Sequence, residues 1–192
     1  MHLFEILRFD IQRYLGLEYN LWDVFVGSLK EVGLFYIILF RVCQYIININ
    51  NKFLRLFLKI IILYPFYHFF TIFLGIEIDL QADIGKGFYI GHFGDIHIGP
   101  VKIGKYCNVN QGVSIGLGRE SDRFGLPTFG DYVWIGAGAK VFGDIVIGNN
   151  VSIGANSVVS KDIPDNAVVV GNPGRIVHSQ NNNPNIQNVF EQ

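Results

Sequence analysis

Aliphatic residues spaced six apart constrain this 192-residue chain more than any other feature in it. Phe129, Ile135, Val141, Ile147, Ile153 and Val159 keep the interval, and glycine follows directly at Gly130, Gly136, Gly148 and Gly154. A second small or apolar residue falls four after each anchor: Val133, Ala139, Ile145, Val151, Ser157 and Ile163. The same metre runs through Ile78, Ile84, Ile90 and Ile96, slips by one residue around Gly99 and Pro100, and resumes at Ile103, Val109 and Ile115. Between Ile115 and Phe129 the spacing is too long for the metre, so an insertion within 117–128 must bulge out as a loop.

A helix repeats every 3.6 residues and a half-buried strand every two, so a period of six fits neither. It fits a coil with three flat sides, in which each hexad is one side and the anchors stack inward from coil to coil. Residues 78–170 then make about five coils. The expected fold is mainly β: a left-handed parallel β-helix, preceded by an α-helical N-terminal region. A β-sandwich would instead show a period of two, with turns every 8–12 residues.

Composition divides the chain near Gly75. Residues 1–76 hold 18 of the 28 aromatics, whereas residues 77–192 hold 18 of the 22 glycines. The expected parts are an apolar, basic helical region over 1–75, the solenoid over 76–177, and a flexible tail over 178–192. Half the residues are hydrophobic and the net charge is −1, which excludes a disordered chain and argues against a nucleic-acid binder. Two cysteines make no disulfide framework, and Cys43 and Cys107 have no zinc spacing. Unpaired cysteines fit a reducing cytoplasm.

The first part reads as helical from residue 3 onward, and Asn20 or Asp23 is placed to cap a second helix. Residues 32–76 carry Arg41, Lys52, Arg55 and Lys59 and no acidic residue. Their longest uncharged run, Ile60–Ile76, is 17 residues, the lower edge of a membrane span. Pro65 is expected to kink or end a helix there. Lys52, Arg55 and Lys59 share one helix face, a pattern suited to the surface of an anionic bilayer. Burial within the protein or its oligomer, and a true span, are the alternatives.

The stretch from "GIEIDLQADIGKGFYIGHFGDIHIG" to "KDIPDNAVVVGNPGRIV" resembles the serine acetyltransferase branch of the hexapeptide-repeat acyltransferases. The apolar N-terminal part resembles more closely the polysaccharide O-acetyltransferases of that branch. The resemblance implies an acetyl-CoA-dependent O-acetyltransferase, a homotrimer, and no metal. By position it makes His92 of "YIGH" the general base and Glu77 of "GIEI" its carboxylate partner. A histidine suits removal of a hydroxyl proton near neutral pH, and a carboxylate on its other nitrogen fixes the tautomer. The two residues lie 15 apart, close to one coil, so neighbouring coils are expected to bring them together.

By the same resemblance Gly116, Ala137, Ala155, Lys161 and Arg175 are candidates for acetyl-CoA. Ala137 and Ala155 are one coil apart, and the two cations suit phosphate. Two departures bear on the acceptor. The family's carboxylate before the histidine is Gly91 here, and its second histidine is replaced at Leu126. Both point away from serine and toward a sugar hydroxyl of a surface polysaccharide or its lipid-linked precursor, at the inner face of the cell membrane. Serine O-acetylation is the alternative. A three-histidine metal site is not expected, since only His92 and His97 lie in the solenoid. His97 reads as a surface residue and Cys107 as a small core hydrophobe.

Overall fold

A computed structural model describes residues 3–120 and 123–178. The solenoid has three parallel faces. The first stacks Ile76–Ile78, Ile96–Ile98, Ser114–Gly116, Lys140–Phe142 and Val158–Val159. The second stacks Asp83–Ile84, Lys102–Ile103, Thr128–Phe129 and Val146–Ile147. The third stacks Tyr89–Ile90, Asn108–Val109, Trp134–Ile135, Ser152–Ile153 and Val168–Val170, and ends in the antiparallel strand Arg175–His178. About five coils result. The hexad anchors form the core: Ile84, Ile103, Phe129 and Ile147 are stacked and buried on the second face, and Ile90, Val109, Ile135 and Ile153 on the third.

The corners demand left-handed backbone. Tyr106, Tyr132, Asn150 and Asn166 all take positive φ at one corner of successive coils, below Gly87. Gly87 is required twice over: its φ is +72°, and a Cβ there would lie 2.2 Å from the Tyr106 ring. The insertion is a two-stranded antiparallel hairpin, Gly118–Glu120 with Arg123–Gly125, rather than a plain loop.

The metre breaks differently from its sequence reading. Ile76 pairs with Ile96 and Ile78 with Ile98, so the anchor on the first face is Ile98 rather than Ile96. The corner 91–95 is therefore two residues longer than a plain one, and the turn at Gly99 and Pro100 is one shorter.

The N-terminal part comprises α1 (Leu3–Leu15), α2 (Leu21–Lys30), α3 (Val32–Ile47), α4 (Lys52–Leu58), a π-helical stretch Lys59–Tyr67, and α5 (His68–Leu74). Asn20 caps α2, and its side chain and that of Asp23 form a reciprocal capping box. Pro65 does not end its helix: the widened π-turn takes it in, and 52–74 runs through without a break.

Helix α3 is buried against the first coil. Gly33 permits the contact, since a Cβ there would lie 2.4 Å from the Ile90 carbonyl oxygen. The exposed backbone edge of a first coil needs partners. Arg41 donates to the carbonyls of Ile84 and Gly85 at 2.8 Å each, and Gln44 donates to that of Ala82 at 2.8 Å. Tyr67 donates to the Ile78 carbonyl, and Asp10 accepts from the Phe88 amide at 3.0 Å. Arg41 and Asp10 pair at 2.8 Å with side chains 3% and 0% exposed. Arg41, one of the four cations of residues 32–76, is therefore buried and part of the cap. Burial still pushes the Asp10 carboxyl above its ordinary value.

Candidate active site

Three of the expected site residues meet at one corner. His92, Gln111, Ala137 and Ala155 each follow their anchor by two residues, and those anchors (Ile90, Val109, Ile135 and Ile153) pair in register. The four residues therefore stack along one edge of the solenoid. They line a cleft of about 380 Å³ with Asn110 and Trp134. Small residues keep its floor close to the backbone: a Cβ on Gly136 would lie 2.7 Å from the Ala155 amide nitrogen. His92 is exposed at the head of the column. A long, thin substrate with an apolar arm fits such an edge, and the imidazole stands at its end.

The other cofactor candidates lie apart. Gly116 lines a different cleft, on the first face, with His97, Ser114 and Lys140. Lys161 is exposed at the next corner round the coil, between Val159 and Ile163, away from the alanine column. Arg175 is exposed and starts the closing strand opposite Val170, on the same face as Trp134 and Ser152.

Glu77 does not pair with His92. Its Oε2 lies 3.2 Å from Nδ1 of His97, and Nε2 of His97 lies 3.3 Å from Oδ1 of Asp95. The register of the strands is the cause. With 20 residues in the first coil, the residue beside Glu77 is His97, on the same outward position of the next strand. His97 is thus a positioned group rather than a bare surface residue. The sequence carried a signal for it: the tripeptides Ile76-Glu77-Ile78 and Ile96-His97-Ile98 are alike, and they are the two strands that pair.

The outward row continues through Ser114 and Lys140. Lys140 Nζ donates to Ser114 Oγ at 2.9 Å and to the Gly112 carbonyl at 2.7 Å. Cys107 is fully buried among core residues, and burial pushes its thiol up to about 12. It stays protonated and is no nucleophile. Among the described residues no group of three or more His, Cys, Asp or Glu side chains is set to hold a metal.

Residues 127–161 match the family model described as bacterial transferase hexapeptide (six repeats). Serine acetyltransferase of Synechococcus elongatus is 44% identical over 113 residues, which is 58% of this chain and 46% of that protein. That of Bacillus pumilus is 46% identical over 111 residues, 57% of this chain and 49% of that protein. The chain spans about half the length of these curated relatives. Among solved structures, a serine acetyltransferase in complex with CoA is 31% identical with a TM-score of 0.70, over 91% of this chain and 69% of that one. The chain belongs to the hexapeptide-repeat acyltransferases. Serine acetyltransferase from Brucella abortus superposes with a TM-score of 0.71 at 27% identity, over 93% of this chain and 69% of that one. This hexapeptide-repeat acyltransferase is thus serine acetyltransferase-like through the helices as well as the solenoid.

Proposed function

We propose that this chain moves an acetyl group from acetyl-CoA to a hydroxyl. The observation that carries the reading is the column of His92, Gln111, Ala137 and Ala155 along one open cleft. Small residues there would let a pantetheine arm lie against the backbone, and a CoA complex is among the similar structures. Acetyl-CoA supplies the thioester carbonyl. His92 takes the proton from the acceptor hydroxyl as its oxygen attacks that carbonyl, then returns it to the departing sulfur. Exposed Arg175 stands on the same face as the cleft, where a cation would meet phosphate.

The relatives' names support L-serine as the acceptor. A sugar hydroxyl is the second reading, favoured by Gly91 and Leu126. Leu126 packs against the core instead of presenting a polar side chain. Incubation with acetyl-CoA and either L-serine or methyl glycosides, with release of CoA thiol followed, separates the two. Turnover with serine alone establishes the first reading, turnover with a glycoside alone the second, and none with either overturns the proposal.

A homotrimer is part of the reading, since apolar Phe93, Leu117 and Val170 are exposed on the solenoid and available to a neighbouring copy. So is a seat on the inner face of a membrane. Helix 52–74 is long and apolar enough to cross one, yet its side chains are largely exposed, with Phe53 88% and Ile72 82% accessible. Lys52, Arg55 and Lys59 lie toward one end and suit anionic headgroups.

A further inference from the structure

Few bonds tie the corner that carries His92. Among the described residues, the Gly91 amide donates to the Val109 carbonyl and the Gly112 amide to the Gly94 carbonyl, while His92 and Phe93 make no hydrogen bond. Where the base stands is therefore set by where the strand Tyr89–Ile90 ends. The second coil holds that strand on one edge, through the Tyr89 and Gly91 amides. On the other edge the amide and carbonyl of Ile90 both meet the Tyr14 hydroxyl of α1. That hydroxyl accepts from the amide at 2.8 Å and donates to the carbonyl at 3.2 Å. It is wedged in place: a Cβ on Gly33 of α3 would lie 2.7 Å from it, and the Tyr14 ring lies 4.5 Å from that of Tyr89.

Arg13, one residue earlier, reaches the next coil. It donates to the side-chain oxygen of Asn108, and its guanidinium lies 5.7 Å from the centroid of the Tyr89 ring. Its Nε and one Nη are buried without a partner among the described residues, a cost that offsets what the contact gives to stability. Successive residues of one helix thus grip the two strands that run out into His92 and Gln111, at the head of the cleft. The other cap groups sit elsewhere, Arg41 on the second face and Tyr67 on the first. We propose that Tyr14, with Arg13 beside it, is a positioning residue for acetyl transfer: α1 braces the strand ends so that the His92 imidazole stands at the reacting hydroxyl. The inference rests on the acetyl-transfer reading above and makes the helical part a component of that site. Neither residue touches the reacting atoms; both act through the backbone that leads to the base.

Tyr14→Phe and Arg13→Gln test the brace in the full chain, with acetyl-CoA and whichever of L-serine or a methyl glycoside turns over. Tyr14→Phe keeps the ring and removes both hydrogen bonds. It should lower kcat about ten- to a hundredfold, the cost of a group misplaced by about 1 Å, and leave both KM values within about twofold. Arg13→Gln should lower kcat in the same way, and it carries the test alone should Tyr14→Phe not fold. Tyr67→Phe removes a bond of the same kind from the first face. It should lower the melting temperature and keep kcat within about twofold. A double-variant cycle separates position from folding. Lost folded protein acts equally with or without His92, whereas positioning acts only through it. In the His92→Ala background Tyr14→Phe should therefore lower the residual turnover less than about twofold. An unchanged kcat in either variant, an equal fall in the His92→Ala background, or an equal fall in Tyr67→Phe overturns the brace. Wild-type turnover in His92→Ala itself would instead sink the transferase reading, and the brace with it.

Discussion

Glu77 and His97 face each other from adjoining coils, carboxylate oxygen to Nδ1 at 3.2 Å, and the first coil between them is two residues longer than a plain one. Deleting Phe93 and Gly94 should restore an even coil and keep His97 beside Glu77, one residue before the anchor Ile98. The imidazole resonances of His97 should therefore keep their dependence on Glu77→Gln. Loss of that dependence would mean that the long corner, rather than the strand register, sets the pair.

The cap of the solenoid depends on Arg41. Removing one partner of a buried ion pair leaves the other charge without compensation, and here two carbonyls of the first coil also lose their donor. Arg41→Ala should lower stability by about 3–5 kcal/mol in urea unfolding. Replacing Asp10 and Arg41 together by leucine and methionine should cost less than Arg41→Ala alone. Equal losses would show that the charge pair is not what matters.

The alanine column makes a steric prediction. Ala137→Phe fills the cleft beside His92 without touching the inward anchors. The KM for acetyl-CoA should rise at least about tenfold, roughly 1.4 kcal/mol, with the melting temperature little changed. An unaffected KM would place the acyl donor elsewhere, the Gly116 cleft being the next to test.

Helix 52–74 predicts binding to vesicles of mixed zwitterionic and anionic lipid. At about 1 kcal/mol per basic residue, exchanging Lys52, Arg55 and Lys59 for glutamine should weaken the partition by roughly a hundredfold. High salt should weaken it as well. Binding indifferent to both would leave the helix to cover another protein surface.

Both thiols should resist alkylation. Cys43 and Cys107 are buried, and burial pushes them up to about 11 and about 12. Iodoacetamide at pH 8 should label neither in the folded protein and both in urea, as read by mass. Rapid labelling of Cys107 in the native state would mean that the coil around it opens.

The solenoid was legible because its period is intrinsic: every coil repeats the same anchors, and no distant contact is needed to read them. The corner column was legible for the same reason, since Ala137 and Ala155 are one undisturbed coil apart. The contact of Glu77 with His97 was not legible because the lengthened corner 91–95 and the shortened turn at Gly99 nearly cancel. The metre looks almost continuous across them while the register between them moves. The role of Arg41 in the cap was not legible, because composition does not reveal burial. Its partner Asp10 lies 31 residues away on another helix. Pro65 was expected to break a helix because only the α-turn was considered, and the π-turn accommodates it. Residues 179–192, including most of the expected tail, lie outside the described residues, and His178 belongs to the last strand.

The central claim is acetyl transfer at the His92 cleft, and it meets its most direct test in the turnover of His92→Ala. With acetyl-CoA and the productive acceptor, release of CoA thiol should fall about 10²- to 10⁴-fold while the solenoid's circular dichroism stays that of the wild type. Turnover at the wild-type rate in that variant would contradict the account.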